Sequence, residues 1–376
     1  MTEREKRKVV LFIDSLVRGG AQRQLVELAR NLDRNLFDPI VLVYHDIPQL
    51  RSDLEERDIP VVLIPKSTKA DFRFLMKLVS FFRTEKPDII HSYLKTPNMW
   101  ARIAGRLAGV RRIITSERNI DIQHSVIRMS IEKILHYFSN YIAVNAEAIK
   151  YILVNKLKIP EHKIKVIYNG VDTDRFCKYD VEKVKNIRAS YGYGKEELVV
   201  TLPGRIEPQK NHMCLLQALY ELRRYNKIKV LFVGNEVDGA LKSELMRFVN
   251  ANGLNGMVRF AGRQDDMVAV YNLSDAVVLP SLWEGFPNIL LEAMSVGIPV
   301  IASDIADNRK IVIDGVNGFL FRSNDHIGLA DILQKLVMGS NDQVIGMGKI
   351  GREIVCNTYS LGKMVKAYED LYLECS

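Results

Sequence analysis

The sequence predicts an α/β protein built from two doubly wound parallel sheets, and three observations predict it. Apolar runs of strand length alternate with amphipathic stretches of helix length, the alternation occurs twice, and a polar, strand-poor stretch separates the two series. In the first half the strand candidates are VVLFID (9–14), DPIVLVY (38–44), VVLIP (61–65), DIIHSY (88–93), RIITSE (112–117), YIAVN (141–145) and KVIYNG (165–170). Helices fit between them at 21–32, 71–83 and 98–109. The rhythm restarts with LVVTLPG (198–204), KVLFVGN (229–235), VRFAG (258–262), DAVVLPS (275–281) and PVIAS (299–303). Residues 171–195 read as an interdomain linker followed by a charged helix, which puts one domain at 1–177 and a second at 178–359. Two such sheets facing each other would set their carboxyl-end crevices across one cleft, where sheets of this type bind ligands.

Composition agrees with two separate cores: 376 residues, 47% of them hydrophobic. The four cysteines, Cys177, Cys214, Cys356 and Cys375, show no CxxC pair and no zinc spacing, and read as free thiols of a reducing compartment. The opening apolar run VVLFI is interrupted by Asp14 and reads as a buried first strand rather than a signal peptide. No 18 apolar residues run together, so no bilayer-spanning segment is expected. The reading is a cytoplasmic protein, soluble or peripheral on the inner face of a membrane. The net charge of +8 is uneven: residues 1–180 hold 31 Lys and Arg against 22 Asp and Glu, and residues 61–130 hold 13 against 5. That excess suits an anionic membrane surface, a lipid phosphate or a solvated helix face. Nucleic acid is disfavoured, since no RNA- or DNA-reading motif and no aromatic stacking platform is present.

No GxGxxG follows a strand, and GxxxxGK[ST], HExxH and EF-hand patterns are absent, which removes the dinucleotide, P-loop and zincin readings. At the end of the first strand of the second series stands Gly204-Arg205-Ile-Glu-Pro-Gln-Lys210-Asn211, leading into a helix. A guanidinium and an ammonium from one loop beside a helix N-terminus fit a diphosphate clamp, and equally two solvated charges. Further on, Ser281-Leu-Trp-Glu284-Gly285-Phe286-Pro287-Asn288 follows a strand and enters a helix that carries Glu292, about two turns beyond Glu284. Carboxylates at this spacing suit vicinal sugar and ribose hydroxyls, and the turn at Gly285, Phe286, Pro287 and Asn288 offers backbone amides, Pro287 excepted.

Arg205-x4-Lys210 followed by Glu284-x7-Glu292 with EGFPNILLEAM resembles the donor half of the family-4 retaining glycosyltransferases of the GT-B fold. The resemblance extends through the Gly19-Gly20-Ala21-Gln22 loop, PDIIHSY and VIYNGVDTDRF, from about residue 8 to 323. It implies a glycosyltransferase that moves a sugar from a nucleotide-diphosphate donor to a saccharide or lipid-linked acceptor in cell-surface polysaccharide or glycolipid synthesis. Arg205 and Lys210 would neutralise the diphosphate and stabilise the leaving nucleotide. Glu284 and the amides of residues 285–288 would orient the sugar, and Glu292 would bind the ribose. The first domain would hold the acceptor, with the helix at 360–376 packing back on it.

Gly19 and Gly20, flanked by Arg18 and Arg23, fit a phosphate approach or a simple tight turn. Similar enzymes often carry a histidine facing the reacting sugar after the fourth or fifth strand, and here those stretches read His91-Ser-Tyr93 and Ser116-Glu117-Arg118-Asn119. His91 and Glu117 are the catalytic candidates and Arg118 and Asn119 the acceptor-side ones; a core histidine and plain loop charges fit the same pattern. Asp172-Thr-Asp174 resembles a metal-gripping DxD but follows the hinge segment and reads as structural, so neither metal nor cofactor is expected. The helix DFRFLMKLVSFFR combines Phe72, Phe74, Leu75, Phe81 and Phe82 with Arg73, Lys77 and Arg83, which suits either an anionic interface or packing on the first sheet. On the same fold a sugar phosphorylase, a nucleotide-sugar epimerase and a non-catalytic nucleotide-sugar binder stay open.

Overall fold

A computed structural model describes residues 6–68, 71–118, 132–237, 239–305, 307–339 and 341–374. The chain divides into two compact units, Met1–Gly170 with Leu361–Ser376, and Val171–Ser360.

The strands of the first unit are β1 (Arg7–Phe12), β2 (Phe37–Val43), β3 (Val61–Leu63), β4 (Ile89–Tyr93), β5 (Arg112–Glu117), β6 (Tyr141–Val144) and β7 (Ile164–Val166). They form one parallel sheet in the order β3-β2-β1-β4-β5-β6-β7. Helices cover both faces, which is why these strands are near-continuous apolar runs rather than alternating ones. On one face Leu25 and Leu28 of the helix Gly20–Asn31 pack with Val9 and Leu11, joined by Tyr368 and Tyr372 of the last helix, Leu361–Glu374. On the other, Phe74, Leu78 and Phe82 of the helix Phe72–Glu85 meet Trp100 and Ala104 of the helix Lys95–Leu107 over Val10 and Phe12. Asp71 starts the helix Phe72–Glu85 by accepting the Phe74 amide, and Lys86 ends it in the left-handed conformation. Gln24 clamps the end of the unit: its amide group donates to the Gly170 carbonyl and accepts from the Gly170 amide, both at 2.9 Å.

The second unit holds β8 (Leu198–Pro203), β9 (Ile228–Val233), β10 (Val258–Phe260), β11 (Ala276–Leu279), β12 (Val300–Ser303) and β13 (Gly318–Phe321). They form a parallel sheet in the order β10-β9-β8-β11-β12-β13. Residues 171–179 belong to this unit. The Val171 amide donates to the Tyr359 carbonyl, Ser295 and Arg352 donate to the Phe176 carbonyl, and Asn272 both donates to the Cys177 carbonyl and accepts from the Tyr179 amide.

Both sheets are doubly wound. The order reverses between β1 and β4 in the first and between β8 and β11 in the second, and the carboxyl ends of those neighbouring strands bound the crevice where such sheets bind ligands. In the second unit the approach of the β8 and β9 ends is close. Gly234, at φ +155°, would bring a Cβ within 2.0 Å of the Gly204 carbonyl, and Gly204 has φ +151°. Only glycines let the two backbones cross here. Gly234→Ala is therefore expected to destabilise the protein by about 1–3 kcal/mol from backbone strain alone, read as a lowered thermal midpoint; an unchanged midpoint would contradict the close approach.

Candidate active site

The loops after β8 and β11, neighbours at the point of reversal, carry the cationic and acidic residues singled out from the sequence. The β8 loop runs through Gly204 and Arg205 to a single 3-10 turn at Pro208–Lys210, and Asn211, left-handed at φ 51°, opens the helix His212–Glu221. The β11 loop runs from Pro280 to Pro287 and enters the helix Asn288–Val296, so Glu284 lies on the loop and Glu292 a turn inside the helix. The two loops are joined backbone to backbone, Leu282 N–H donating to the Gln209 carbonyl at 2.9 Å, and the Gln209 side chain donates to the Trp283 carbonyl at 2.8 Å.

At the centre, Lys210 Nζ lies 2.6 Å from Glu284 Oε1, with both side chains nearly buried at 12% and 9% exposure. The same carboxylate oxygen accepts from Ser281 Oγ at 2.6 Å, and Gln209 Nε2 stands 3.5 Å from Oε2. Ser281 is itself fixed from beneath: Ser303 Oγ at the end of β12 donates to its carbonyl at 2.6 Å, and Asn308 donates to the Ser303 carbonyl at 2.9 Å. Burying an ammonium and a carboxylate is tolerable only with such geometry, because each alone would cost several kcal/mol in lost hydration.

Of the expected site residues, the structure brings Lys210 and Glu284 into direct contact. Arg205 stays 63% exposed and pairs with Glu207 of its own loop at 3.0 Å. Glu292 Oε2 accepts from the buried Tyr271 hydroxyl at 2.6 Å. Phe286 is buried with its ring 6.0 Å from Tyr359. The Asn288 amide donates to the Phe286 carbonyl at 3.1 Å, closing the turn. Sequence reasoning missed Ser281, Gln209 and Tyr271, which hold the two glutamates. Ser281 stood inside the quoted segment, but its role depends on a loop fold that spacing alone does not give.

Comparisons with known proteins show the family and the fold. Residues 18–175 match the family model Glycosyltransferase Family 4, and residues 183–350 match Glycosyl transferases group 1. The chain belongs to glycosyltransferase family 4. This glycosyltransferase is 29% identical over 371 residues to an Escherichia coli UDP-Gal:alpha-D-GlcNAc-diphosphoundecaprenol alpha-1,3-galactosyltransferase, covering 94% of each chain. It is 26% identical to a Bacillus anthracis N-acetyl-alpha-D-glucosaminyl L-malate synthase over 81% of this chain and 79% of the other. Among solved structures, Anabaena HepE in complex with UDP and glucose superposes with a TM-score of 0.87 at 21% identity, covering 98% of this chain and all of the other. A glycosyltransferase from Rickettsia africae gives 0.90 at 20%, covering 99% of both. At these identities the structural likeness establishes the GT-B fold.

In the glycosyltransferase's first unit the candidates fare differently. Gly19 caps the helix Gly20–Asn31 in an extended conformation, and a Cβ on it would meet Gln22 Oε1 at 2.4 Å. Gln22 in turn donates to Asp14 at 3.0 Å, and Arg23 pairs with Asp53 at 2.6 Å. His91, the catalytic candidate of the fourth strand, is placed inside the core. His91 is wholly buried, with Nδ1 2.6 Å from the Tyr372 hydroxyl and Nε2 2.8 Å from Ser116 Oγ, so both ring nitrogens are used inside the core. Arg118, an acceptor-side candidate, is likewise engaged within the first unit. Its buried guanidinium bonds Asn169 and, at 2.9 Å, the Tyr368 hydroxyl, and lies 4.7 Å from the centre of the Tyr93 ring. It ties β5 to the last helix instead of waiting for a ligand. Glu117 accepts from Asn98 Nδ2 at 2.9 Å, and burial, then the Glu132 carboxylate, raise its carboxyl above the ordinary range. Asn119 lies outside the described residues, as does Cys375; Cys177, Cys214 and Cys356 are free thiols. Asp172 is spent on a local turn, its Oδ1 accepting the Asp174 and Arg175 amides at 3.1 and 3.0 Å. No group of three or more His, Cys, Asp or Glu suited to a metal occurs among the described residues.

Burial, and then the Arg118 charge, press the His91 pKa well below 6.5, and burial with Lys210 presses that of His212 to about 4. The folded state therefore keeps both rings neutral where the unfolded chain takes up protons, so stability is full above about pH 6.5 and falls as pH drops below it. Each ring contributes a slope of about 1.4 kcal/mol per pH unit. Urea midpoints measured from pH 7.5 to 5 are expected to fall, and His91→Gln to reduce the proton uptake on unfolding by about one; an unreduced uptake would contradict the buried neutral ring.

Proposed function

We propose that the protein transfers a hexose from a nucleoside diphosphate sugar to a saccharide or lipid-linked acceptor, with retention of configuration and without a metal ion. The observation that carries this reading is the buried Lys210–Glu284 pair at the point of reversal in the second sheet, with the exposed Arg205, paired with Glu207, on the same loop as Lys210. The E. coli relative named for UDP-galactose and an undecaprenyl-linked acceptor, and the Anabaena structure holding UDP and glucose, support a uridine diphosphate sugar as the first donor to test.

In this reading Arg205 and Lys210 take the donor diphosphate, and Lys210 turns its charge from Glu284 toward it. Glu284 does not become an orphan, because Ser281 and Gln209 still hold it while it accepts from the sugar hydroxyls. As the bond from the anomeric carbon to the diphosphate oxygen breaks, negative charge grows on the phosphate, and the two cations stabilise it more in the transition state than in the ground state. The acceptor oxygen bonds to the anomeric carbon from the face the nucleotide leaves, and its proton passes to the departing diphosphate. The cations thus fill the role a divalent ion has in metal-dependent transferases, and the local turn made by Asp172 supports a structural role for the Asp-Thr-Asp segment. Glu292 binds the ribose, the helix N-terminus at Gly20 offers a second anion contact, with Gly19 as its cap and the Gly19 amide given to the Val17 carbonyl at 2.8 Å, and the first unit carries the acceptor.

We further infer attachment to the cytoplasmic face of a membrane through the first unit. Among the described residues no helix is long and apolar enough to cross a bilayer. The helix Phe72–Glu85 buries Phe74, Leu78, Val79 and Phe82 but leaves Phe72 and Met76 exposed beside Arg73, Lys77 and Arg83, a composition suited to anionic headgroups.

Two measurements test the proposal. Arg205→Ala, at an exposed position, should lower kcat for transfer from UDP-hexoses by about 10²-fold or more with an unaltered melting curve; full activity would remove the diphosphate assignment. The protein should float with anionic liposomes, and a Phe72→Ser, Met76→Ser variant should not; absence of flotation by the unaltered protein would end the membrane reading.

A further inference from the structure

Tyr271 lies outside the sequence segments that carry the donor-site chemistry, and its hydroxyl bonds one of the two glutamates. It sits in the helix Met267–Leu273, started by Asp266 accepting the Ala269 amide, among the buried apolar side chains Val268, Val270 and Leu273 and the buried Asn272. Tyr271 is wholly buried, and its hydroxyl lies 2.6 Å from Glu292 Oε2. A phenol in that position is retained by an apolar core only if its hydroxyl finds a partner, and here the partner is a functional carboxylate rather than a backbone carbonyl.

We propose that Tyr271 is the positioning residue for Glu292, locking its carboxylate in the orientation that accepts hydrogen bonds from the ribose of the nucleotide. This rests on the assignment of Glu292 to the ribose. A glutamate on a helix has three rotatable bonds, and left to itself it spreads over several rotamers; a buried donor on one oxygen fixes the group before the nucleotide arrives. One donor does not exhaust the acceptor, because an ionised carboxylate offers about four lone-pair directions. The ring that delivers the hydroxyl is held in turn by Phe176, whose ring centre is 6.1 Å away, and by the next residue, Asn272, which anchors the Cys177 carbonyl and the Tyr179 amide. The segment leading into the second unit thus braces the residue that braces the carboxylate. Burial raises the Tyr271 pKa well above 10, and the charge of Glu292 raises it further, so the hydroxyl stays protonated and remains the donor across the working pH range.

The test uses the full chain and direct nucleotide binding. UDP, GDP, ADP and CDP are titrated first, and the tightest binder is carried through together with its 2′-deoxy counterpart. Tyr271→Phe keeps the ring and removes the hydroxyl; Glu292→Gln keeps an acceptor oxygen for the tyrosine; Glu292→Ala removes the group. We expect Tyr271→Phe to weaken binding of the ribonucleotide about tenfold, to shrink the preference over the 2′-deoxy form, and to raise the donor KM with kcat little changed, as a uniform binding contact does. In the Glu292→Ala background the same change should have no further effect. If Glu292→Ala weakens binding while Tyr271→Phe and Glu292→Gln both bind as the unaltered protein does, the positioning role is overturned and the ribose assignment stands. If Glu292→Ala leaves binding and the deoxy preference unaltered, or no nucleotide binds at all, the ribose assignment fails and the inference falls with it. A Tyr271→Phe loss shared equally by the ribo and deoxy forms, with a lowered melting temperature, would mark the hydroxyl as structural only and would also overturn the proposal.

Discussion

The second unit is organised around an ammonium and a carboxylate taken almost wholly out of water, Lys210 and Glu284. Removing either partner alone would leave an uncompensated buried charge, a loss of about 3–5 kcal/mol, so the two loops that carry them are held to one geometry. Ser281 and Gln209 complete the carboxylate's partners, and the backbone bond between Leu282 and Gln209 keeps the loops in register. Lys210 is neutralised within the fold by Glu284, while Arg205 stays 63% exposed beside Glu207 and carries no such penalty.

The sheet topology puts this pair where it can act. β8 and β11 are the neighbours at which the winding reverses, and the loops that follow them are joined to each other by the Leu282–Gln209 backbone bond. The glycines at 204 and 234 let the β8 and β9 ends touch, so the Arg205 loop begins from a fixed backbone. In the first unit the buried polar residues serve a different end. His91, Ser116, Arg118 and Asn169 join Tyr368 and Tyr372 in one hydrogen-bonded cluster that fastens the last helix to the centre of the sheet. Groups that look catalytic by type are here the means of anchoring a distant chain segment.

Much of the fold was legible because both sheets are covered on two faces, so strands such as β1, β2 and β8 announce themselves as unbroken apolar runs. The exception is β13, whose four residues Gly318–Phe321 carry no run long enough to stand out. Lys210 and Glu284 were legible as members of two motifs in a fixed order. What spacing could not show is who holds them: Tyr271 reads as one more core residue on an apolar helix, and Ser281 as the end of a strand. The partners of His91 and Arg118 were hidden for the same reason. Their partners, Tyr372 and Tyr368, lie 281 and 250 residues away on the last helix, and only the tertiary structure reveals that they are already satisfied.

The central claim is that the Lys210 ammonium is shared between Glu284 in the empty site and phosphate in the filled one. A crystal structure of the protein with a non-hydrolysable nucleotide sugar tests it most directly. The account predicts Lys210 Nζ within hydrogen-bonding distance of a diphosphate oxygen, with Glu284 still bonded to Ser281 and now accepting from a sugar hydroxyl. A diphosphate bound away from the β8 loop, with the Lys210–Glu284 pair unchanged, would contradict it.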